Sequence, residues 1–459
     1  MKTCDIIGIS DSRQQWFAPE VMDVIQGGHV FSGGRRHHEI VAPLLPSDAV
    51  WLDITVPLER VFKQYEAVEH VVIFASGDPL FYGFANTIQR ECKDVEMRLF
   101  PSFNSLQMLA HRLLLPYHDM RVVSLTGRPW CEFDRALIER SAKIGILTDR
   151  EHTPAAIAQR MLEYGYGQYV MHVGEHLGNP TLEHISSLSL EEAAEREFSM
   201  PNCAILDANS SLSDREGRGR IFSFGLPDSS FALLDGRAKM ITKMPIRLLT
   251  LQALDLPRRR VLWDIGACTG SVSIEARLLF PHLHVVAFEI RPECEAIIRA
   301  NARHHGALGI EVRMGDFLED PPPEPVQKEH SVLSSWHPCR EGADTFVAER
   351  DDKSCLVTAP SLQGRAGGGS FPDAIFIGGH GGRLKEIVAK VLTVLAPGGV
   401  IVMNSVKAPL VKTDSHQLWD EACREFALQQ EPPMRVVIDE YHPIEILKAY
   451  KPTQTSPNK

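Results

Sequence analysis

The sequence predicts an α/β protein with two cores, the second of them a Rossmann-like, doubly wound parallel sheet. Three observations carry this. The chain has 459 residues, about three times the usual single-domain length, so two or three cores are expected. From the start to about residue 206, short apolar runs rich in β-formers alternate with helical stretches, the pattern of an α/β domain. Residues 261–290, VLWDIGACTGSVSIEARLLFPHLHVVAFEI, read as a buried strand, a glycine-punctuated turn, a helix and a second strand that ends on an acid.

Taken in order, CDIIGIS, AVWLDIT, HVVIFASGDPLFYGFANTIQREC, VEMRLFPS, RVVSLTGRP, KIGILTD, QYVMHVGE and NCAILDA supply the strands of a front domain, residues 1–208. The polar run ANSSLSDREGRGR reads as a linker or surface loop, so residues 209–236 are assigned to a linker. The back domain, residues 237–459, opens with the helical PIRLLTLQALDL and the strand–turn–helix–strand unit. It continues with the helix PECEAIIRANARHHG and the strands IEVRMGD, DAIFIGG and GGVIVMNSV. Successive βα units of this kind build a parallel sheet with helices on both faces. Residues 321–371 break the pattern, being rich in Pro, Gly, Ser and charge, and read as a disordered or surface insertion. Within it His337, Cys339 and Cys355 lack ligand spacing and read as ordinary loop residues.

Composition narrows the function. Hydrophobic residues at 44% and charged residues at 23% suit a soluble enzyme, and no apolar run approaches the roughly 18 residues that span a bilayer. The opening MKTCDIIGISDS has no basic stretch followed by an apolar one, so a cytoplasmic location without membrane association is expected. The nine cysteines form no C-x-x-C pair, which argues against a zinc ribbon, an iron–sulfur cluster or a secreted disulfide framework. A net charge of -11 without a Lys/Arg-rich run argues against a nucleic-acid partner.

In the back domain, Gly266 and Gly270 bracket the turn Gly266–Ala267–Cys268–Thr269–Gly270. There missing side chains let backbone N–H groups and a helix N-terminus approach a ligand. Glu289 ends the next strand, where an acid accepts both ribose hydroxyls of an adenosine. NAD(P) and S-adenosylmethionine both satisfy this much. GACTG lacks the third glycine of the dinucleotide fingerprint, and a shorter turn suits a cofactor without a pyrophosphate. Asp264, before the turn, and Asp316, in MGDF, stand where a carboxylate could hold the cofactor's amino group or adenine edge. Gly378, Gly379, His380 and Gly381, in GGHGG, follow a strand at the carboxyl edge where open α/β sheets bind ligands, and suggest close backbone approach to a bulky substrate.

These residues carry a resemblance. The run ITKMPIRLLTLQALDLPRRRVLWDIGACTGSVSIEA, with DAIFIGGHGG downstream, resembles the class I S-adenosylmethionine-dependent methyltransferases of corrin biosynthesis that methylate carbon 15 and decarboxylate the acetate on carbon 12. It covers about residues 238–450 apart from the insertion. It implies that Thr242, the segment Gly266–Gly270, Glu289, Asp316 and Phe317 line the cofactor. A small residue is more usual in that family where His380 stands.

In the front domain, SGDPLFYG, GGRRHHE, PSFNSLQMLAHRL, VVSLTGRP and LTDREHTPAAIA together resemble the tetrapyrrole methylase family, and within it the branch that methylates carbon 5 of the corrin precursor. The similarity spans about residues 4–206. It implies a tetrapyrrole methylase fold of two α/β subdomains with S-adenosylmethionine in the cleft between them. The loop Gly77, Asp78 and Pro79 and the loop carrying Ser102 and Ser105 would help bind it. Arg35, Arg36 and His37, with His38 beside them, make a basic patch matched to the substrate's carboxylates. Many members of the family have a glycine-rich first loop where this chain reads GISDS, with Gly8 alone.

The two resemblances together imply a fused enzyme of cobalamin biosynthesis. It would transfer two methyl groups from two molecules of S-adenosylmethionine to carbons 5 and 15 of a precorrin, in metal-free or cobalt form, release carbon dioxide from the ring C acetate and yield precorrin-8X. The tetrapyrrole is the expected partner, a homo-oligomer the expected assembly, and no metal is required of the protein. No catalytic acid or base is assigned, because the macrocycle carbon is itself the nucleophile. The alternative is a methyltransferase of another tetrapyrrole in which only the back domain is catalytic. A nicotinamide oxidoreductase would need the third glycine. An RNA or protein methyltransferase would be expected to show a basic face or an Asn-Pro-Pro-Tyr signature where IGGHGG stands.

Overall fold

The computed structural model describes residues 1–208, 224–319, 326–327, 369–406, 415–437 and 443–452. The front half contains two five-stranded sheets. The first joins β1 (Thr3–Ile9), β2 (Val30–Gly33), β3 (Val50–Asp53), β4 (His70–Ser76) and β5 (Glu96–Phe100) in the order β3-β2-β4-β1-β5, all parallel. The second joins β6 (Arg121–Ser124), β7 (Lys143–Leu147), β8 (Val170–Glu175), β9 (His184–Leu188) and β10 (Asn202–Asp207) in the order β6-β7-β10-β8-β9. In it β10 runs antiparallel to both β7 and β8. Ile6 and Ile7 of β1 are buried on opposite faces, in two different clusters of side chains. A strand covered by helices on both sides reads as an unbroken apolar run for this reason, and each such burial contributes about 1.5–3 kcal/mol.

Two of these strands go beyond the sequence expectation. β2, VFSG, is short and lies between glycine pairs at 27–28 and 33–34, so turn-forming neighbours mask it. β9, HISSL, is an edge strand with two serines and carries little apolar periodicity.

The back half is built on β11 (Val261–Ile265), β12 (His284–Glu289) and β13 (Ile310–Met314). A two-strand ladder of β14 (Val326–Gln327) and β15 (Gly369–Ser370) follows. Then come β16 (Ala374–Ile377), β17 (Val400–Val406), β18 (Gln429–Gln430), β19 (Met434–Val436) and β20 (Ile444–Tyr450). The main sheet runs β13-β12-β11-β16-β17-β20-β18, with β19 also on β20. It is parallel from β13 to β17 and antiparallel at β20, so the doubly wound sheet acquires an antiparallel edge. The order turns at β11/β16, and ligands of open α/β sheets bind at such a switch point, outside the carboxyl ends of the strands. Residues 328–368, most of the expected insertion, lie outside the described residues. Its ends are brought together by the β14–β15 ladder.

Residues 209–223 of the expected linker also lie outside the described residues. Residues 224–236 lie against the back domain: Glu275 accepts hydrogen bonds from Gly225 N (2.9 Å) and Leu226 N (3.0 Å), and Asn301 accepts from Ala232 N (2.7 Å). Fully buried Arg247 pairs with Glu275 and with Asp228. The two halves share a core in which Phe133, Met161 and Tyr166 meet Ile274, Leu278 and Leu308. Tyr166 donates its hydroxyl to Gly306 O at 2.9 Å, and Arg303 pairs with Glu163 at 2.6 Å. The helices Ser271–Leu279 and Glu293–His305, which follow the glycine turn and the acid-tipped strand, are thus the ones seated on the front half.

Candidate cofactor sites of the two domains

In the front half, β1 and β4 end side by side at Ile9 and Ser76. Gly77 turns the chain with φ 62°, donates to Ile9 O at 2.8 Å and accepts from Ser102 N at 3.2 Å. A Cβ on Gly8 would lie 1.8 Å from Gly77 O and 2.7 Å from Ser102 N. One glycine therefore suffices for three backbone segments to meet. Asp78 accepts from Leu80 N at 2.9 Å, shaping the turn ahead of buried Pro79. Asn104 starts the helix Ser105–Arg112 with a capping box: its side chain accepts from Gln107 N at 2.9 Å, and Gln107 accepts from Asn104 N at 3.0 Å.

These loops close one side of a cavity of about 120 Å³. Asp11, Gly77, Asn104 and Ser105 line it from the first subdomain; Thr148, Met200 and Asn202 line it from the second. Asp78, Pro79 and Ser102 stand outside that lining. Asp11, Asn104, Thr148 and Asn202 were not singled out from sequence; for Asn104 the helix-cap pattern N-S-L-Q was the available signal.

Arg35 to Glu39 of GGRRHHE belong to a helix, Arg35–Val41, capped by Gly34. Consecutive side chains on a helix point about 100° apart, so the basic patch is dispersed. Arg35 faces solvent and pairs with Glu39 at 3.4 Å. Arg36 lines the cavity, pairs with Asp11 at 3.2 Å and donates to Ser76 Oγ at 3.1 Å. His37 is buried; its Nδ1 accepts from Gly34 N at 3.3 Å and its Nε2 lies 2.9 Å from Ser76 Oγ. Burial, reinforced by the Arg36 charge, pushes the His37 pKa down to about 3, so it is neutral at pH 7 and holds Ser76. His38 stacks on Trp51 at 4.2 Å. Of the group, Arg36 alone lines the cavity.

In the back half the sequence-derived residues other than Thr242, which precedes the helix Met244–Ala253, converge at the carboxyl ends of β13, β12, β11 and β16. Gly266 has φ 81°, and a Cβ there would lie 2.8 Å from Gly379 N, so the glycine turn and GGHGG stand backbone to backbone. Gly378 N completes the contact by donating to Ile265 O at 2.8 Å. Gly266 and Ala267 both donate to Phe288 O, at 2.9 and 3.1 Å, and Asn301 holds the Thr269 carbonyl at 2.9 Å.

Asp264 lies beneath the turn. Its Oδ2 accepts from Ser273 Oγ at 2.6 Å, while Oδ1 is buried with no hydrogen-bond partner. Burial outweighs the Ser273 bond and, with the Glu289 charge nearby, pushes the Asp264 pKa up to about 6. A buried acceptor left without a donor is costly, and Asp264 Oδ1 could take a cationic or N–H donor. Glu289 is buried and accepts Cys268 N at 2.8 Å and a bidentate pairing from Arg291. Burial raises its pKa, but these bonds outweigh that and hold it below the usual carboxylate range.

Asp316 accepts from Leu318 N at 3.0 Å and pairs with Arg383 at 2.8 Å, tying the MGDF loop to the residue after GGHGG. Phe317 is buried between Trp263 and Phe288, with Phe288 at 5.1 Å, and serves as packing beneath the site. The Thr242 carbonyl accepts from Arg247 at 2.7 Å. His380 accepts from Gly382 N at 3.1 Å through Nδ1, with Nε2 3.1 Å from Ser415 Oγ, and burial lowers its pKa. Arg291, Ser273 and Arg383 were not singled out from sequence, since a charged or hydroxyl residue beside a turn has no distinguishing spacing. Among the described residues no group of three or more His, Cys, Asp and Glu is arranged to hold a metal ion, and no helix is long and apolar enough to cross a membrane.

Comparison with known proteins adds identity to this geometry. Residues 2–194 match the family of tetrapyrrole (corrin/porphyrin) methylases, and residues 235–323 match the precorrin methyltransferase domain. The chain is 29% identical over 416 residues to a Sinorhizobium precorrin-6Y C(5,15)-methyltransferase [decarboxylating], covering 90% of this chain and 87% of that protein. It is 26% identical to the Salmonella typhimurium cobalt-precorrin-7 C(5)-methyltransferase, covering 44% of this chain and 98% of the relative. It is 29% identical to the Salmonella typhi cobalt-precorrin-6B C(15)-methyltransferase (decarboxylating), covering 42% of this chain and 76% of the relative. The chain thus matches the tetrapyrrole methylases over its front part and the precorrin methyltransferase domain over part of its back half, and it is an S-adenosylmethionine-dependent methyltransferase.

Proposed function

We propose that this enzyme acts in cobalamin biosynthesis on precorrin-6Y, methylating carbons 5 and 15, decarboxylating the ring C acetate and yielding precorrin-8X, with one methyl transfer per domain. The observation that carries this reading is the presence, in one chain, of two separate glycine-built backbone approaches at strand carboxyl edges in domains of different fold. The back domain is assigned to carbon 15 and the decarboxylation, the front domain to carbon 5, and two molecules of S-adenosylmethionine are consumed per turnover. Residues 1–208 and 237–459 are taken as the two catalytic units.

The residues present fit the cofactor. In the back site the partnerless Asp264 Oδ1 suits the amino group, Glu289 suits the ribose diol, and the missing side chain of Gly266 lets the turn lie against the Gly379 backbone, 2.8 Å from where a Cβ would stand. In the front site Gly77, Asn104 and Ser105, with Met200 and Asn202 opposite, would enclose the second copy. When bound, S-adenosylmethionine supplies an electrophilic methyl group in each cleft. The chain's own task is to align the acceptor carbon with it and exclude water. Arg36 at the front cavity and Arg383 beside Asp316 are placed to meet substrate carboxylates. The macrocycle supplies the electron pair, so no resident metal and no dedicated base are needed. A cytoplasmic homo-oligomer with no further partner completes the reading.

Incubating the purified chain with precorrin-6Y, in metal-free and cobalt forms, and S-adenosylmethionine tests it by product mass. Gain of two methyl groups with loss of carbon dioxide is expected. One methyl with decarboxylation would leave only the back domain active, and an unchanged mass with both forms would refute the corrinoid assignment.

A further inference from the structure

The carboxylate of Glu289 has no acceptor position left for a ligand. Oε1 accepts from Ile290 N and Arg291 N, both at 3.0 Å, and from Arg291 Nε at 2.8 Å. Oε2 accepts from Cys268 N at 2.8 Å and from Arg291 Nη2 at 2.9 Å. An ionised carboxylate offers about four lone-pair sites, and five N–H groups already converge on this one. Three of the five are backbone groups fixed by the end of β12 and the glycine turn. The other two belong to one guanidinium whose side chain keeps 35% of its surface in solvent and is free to swing out.

We propose that Arg291 sets the affinity of the back site for its nucleoside by occupying the Glu289 oxygens that a ribose diol must take. The inference rests on the reading of Glu289 as the ribose acceptor. Binding then exchanges two guanidinium N–H bonds for two hydroxyl bonds, and the free energy of the displaced pair is subtracted from that of the ligand. Arginine's planar fork bridges both oxygens at once, whereas lysine presents a single compact ammonium. The strength of the competitor therefore falls from Arg to Lys to Ala. A residue that merely braced the turn would give the opposite order, since its loss would loosen the site.

The test is titration of the full-length chain with S-adenosylhomocysteine, read by protection of the Gly266–Gly270 amides against hydrogen exchange, which reports the back site alone. Arg291→Ala is expected to tighten binding by roughly 2- to 5-fold, the range of a partly exposed ion pair, and Arg291→Lys by less. In a Glu289→Gln background the tightening should vanish. Unchanged or weaker binding by both Arg291 variants, with Glu289→Gln still weakening it, would overturn the competition and leave the ribose reading standing. Unchanged binding by Glu289→Gln would remove that reading and the inference with it.

Discussion

The front and back clefts solve one problem with different chemistry. Each brings a glycine of one loop against the backbone of another: Gly8 against Gly77 and Ser102 in front, Gly266 against Gly379 behind. In front, the charges at the cleft are compensated within the chain, Arg36 by Asp11, while His37 is held neutral and the remaining wall is amide, hydroxyl and apolar. Behind, two buried acids stand at the turn, one with a partnerless oxygen and one saturated by a movable arginine. Close backbone approach is thus the requirement the two folds share, and the electrostatics around it are free to differ.

The largest effects should come from the shared element. Gly8→Ala puts a methyl into backbone atoms that cannot retreat and should lower front-site affinity for S-adenosylhomocysteine on the order of 100-fold. It should leave protection of the Gly266–Gly270 amides intact, and loss at both sites together would mean that the clefts are not independent. Gly266→Ala is the mirror experiment, silencing the back site and sparing the front.

Removing the charge of Glu289 comes next. Glu289→Gln trades an ionised acceptor for a neutral one and should weaken back-site binding roughly 10-fold or more, measured by the same amide protection. The front site, which relies on neutral groups, should not respond.

Acidity separates the two halves further. Asp264 in the ligand-free chain titrates near 6, and an ammonium ligand prefers it ionised. Back-site affinity should therefore rise about tenfold between pH 5 and pH 7 and flatten above. Asp264→Asn should abolish the slope, and a slope that survives it would assign the titration elsewhere. In front, the His37 pKa of about 3 lies below the ordinary 6.5, so on acidification the unfolded chain takes the proton first. The stability this group contributes is complete above pH 6.5 and is lost as pH falls toward 3, by about 2 kcal/mol at pH 5. Asp264 runs the other way, since its protonated form is favoured in the fold and its penalty grows as pH rises from 3.8 to about 6. Urea unfolding of the wild type and His37→Gln at pH 5 and 7.5 reads the front-half term, which the variant should lack.

The smallest effect concerns the contact between the halves. Tyr166→Phe deletes the bond to Gly306 O and should cost about 1 kcal/mol of stability, with little change at either cleft.

Much of the back site was legible in sequence because each element there is local. A strand, a G-x-x-x-G turn and an acid at the next strand end lie within thirty residues, and parallel pairing of β11 with β12 brings Glu289 to the turn with no long-range information. Arg291 was overlooked for a physical reason: its role depends on a side-chain rotamer that wraps back onto Glu289, and spacing does not encode rotamers. In front, the helix at GGRRHHE was hidden because four polar residues in a row give no helical stripe; β2 ends at Gly33, Gly34 caps the helix and the helix begins at Arg35. The partners of that cleft come from positions 11, 36, 76, 104, 148 and 202, joined only by the packing of two sheets. The antiparallel β20 is likewise set by the return of the chain across β17, which no local run of residues announces.

The proposed double methylation requires two independent cofactor sites in one chain. Isothermal titration of the full-length protein with S-adenosylhomocysteine tests this directly. Two molecules bound per chain, falling to one with either Gly8→Ala or Gly266→Ala, is the predicted result; a single molecule bound by the wild type, abolished by only one of the two substitutions, would contradict it.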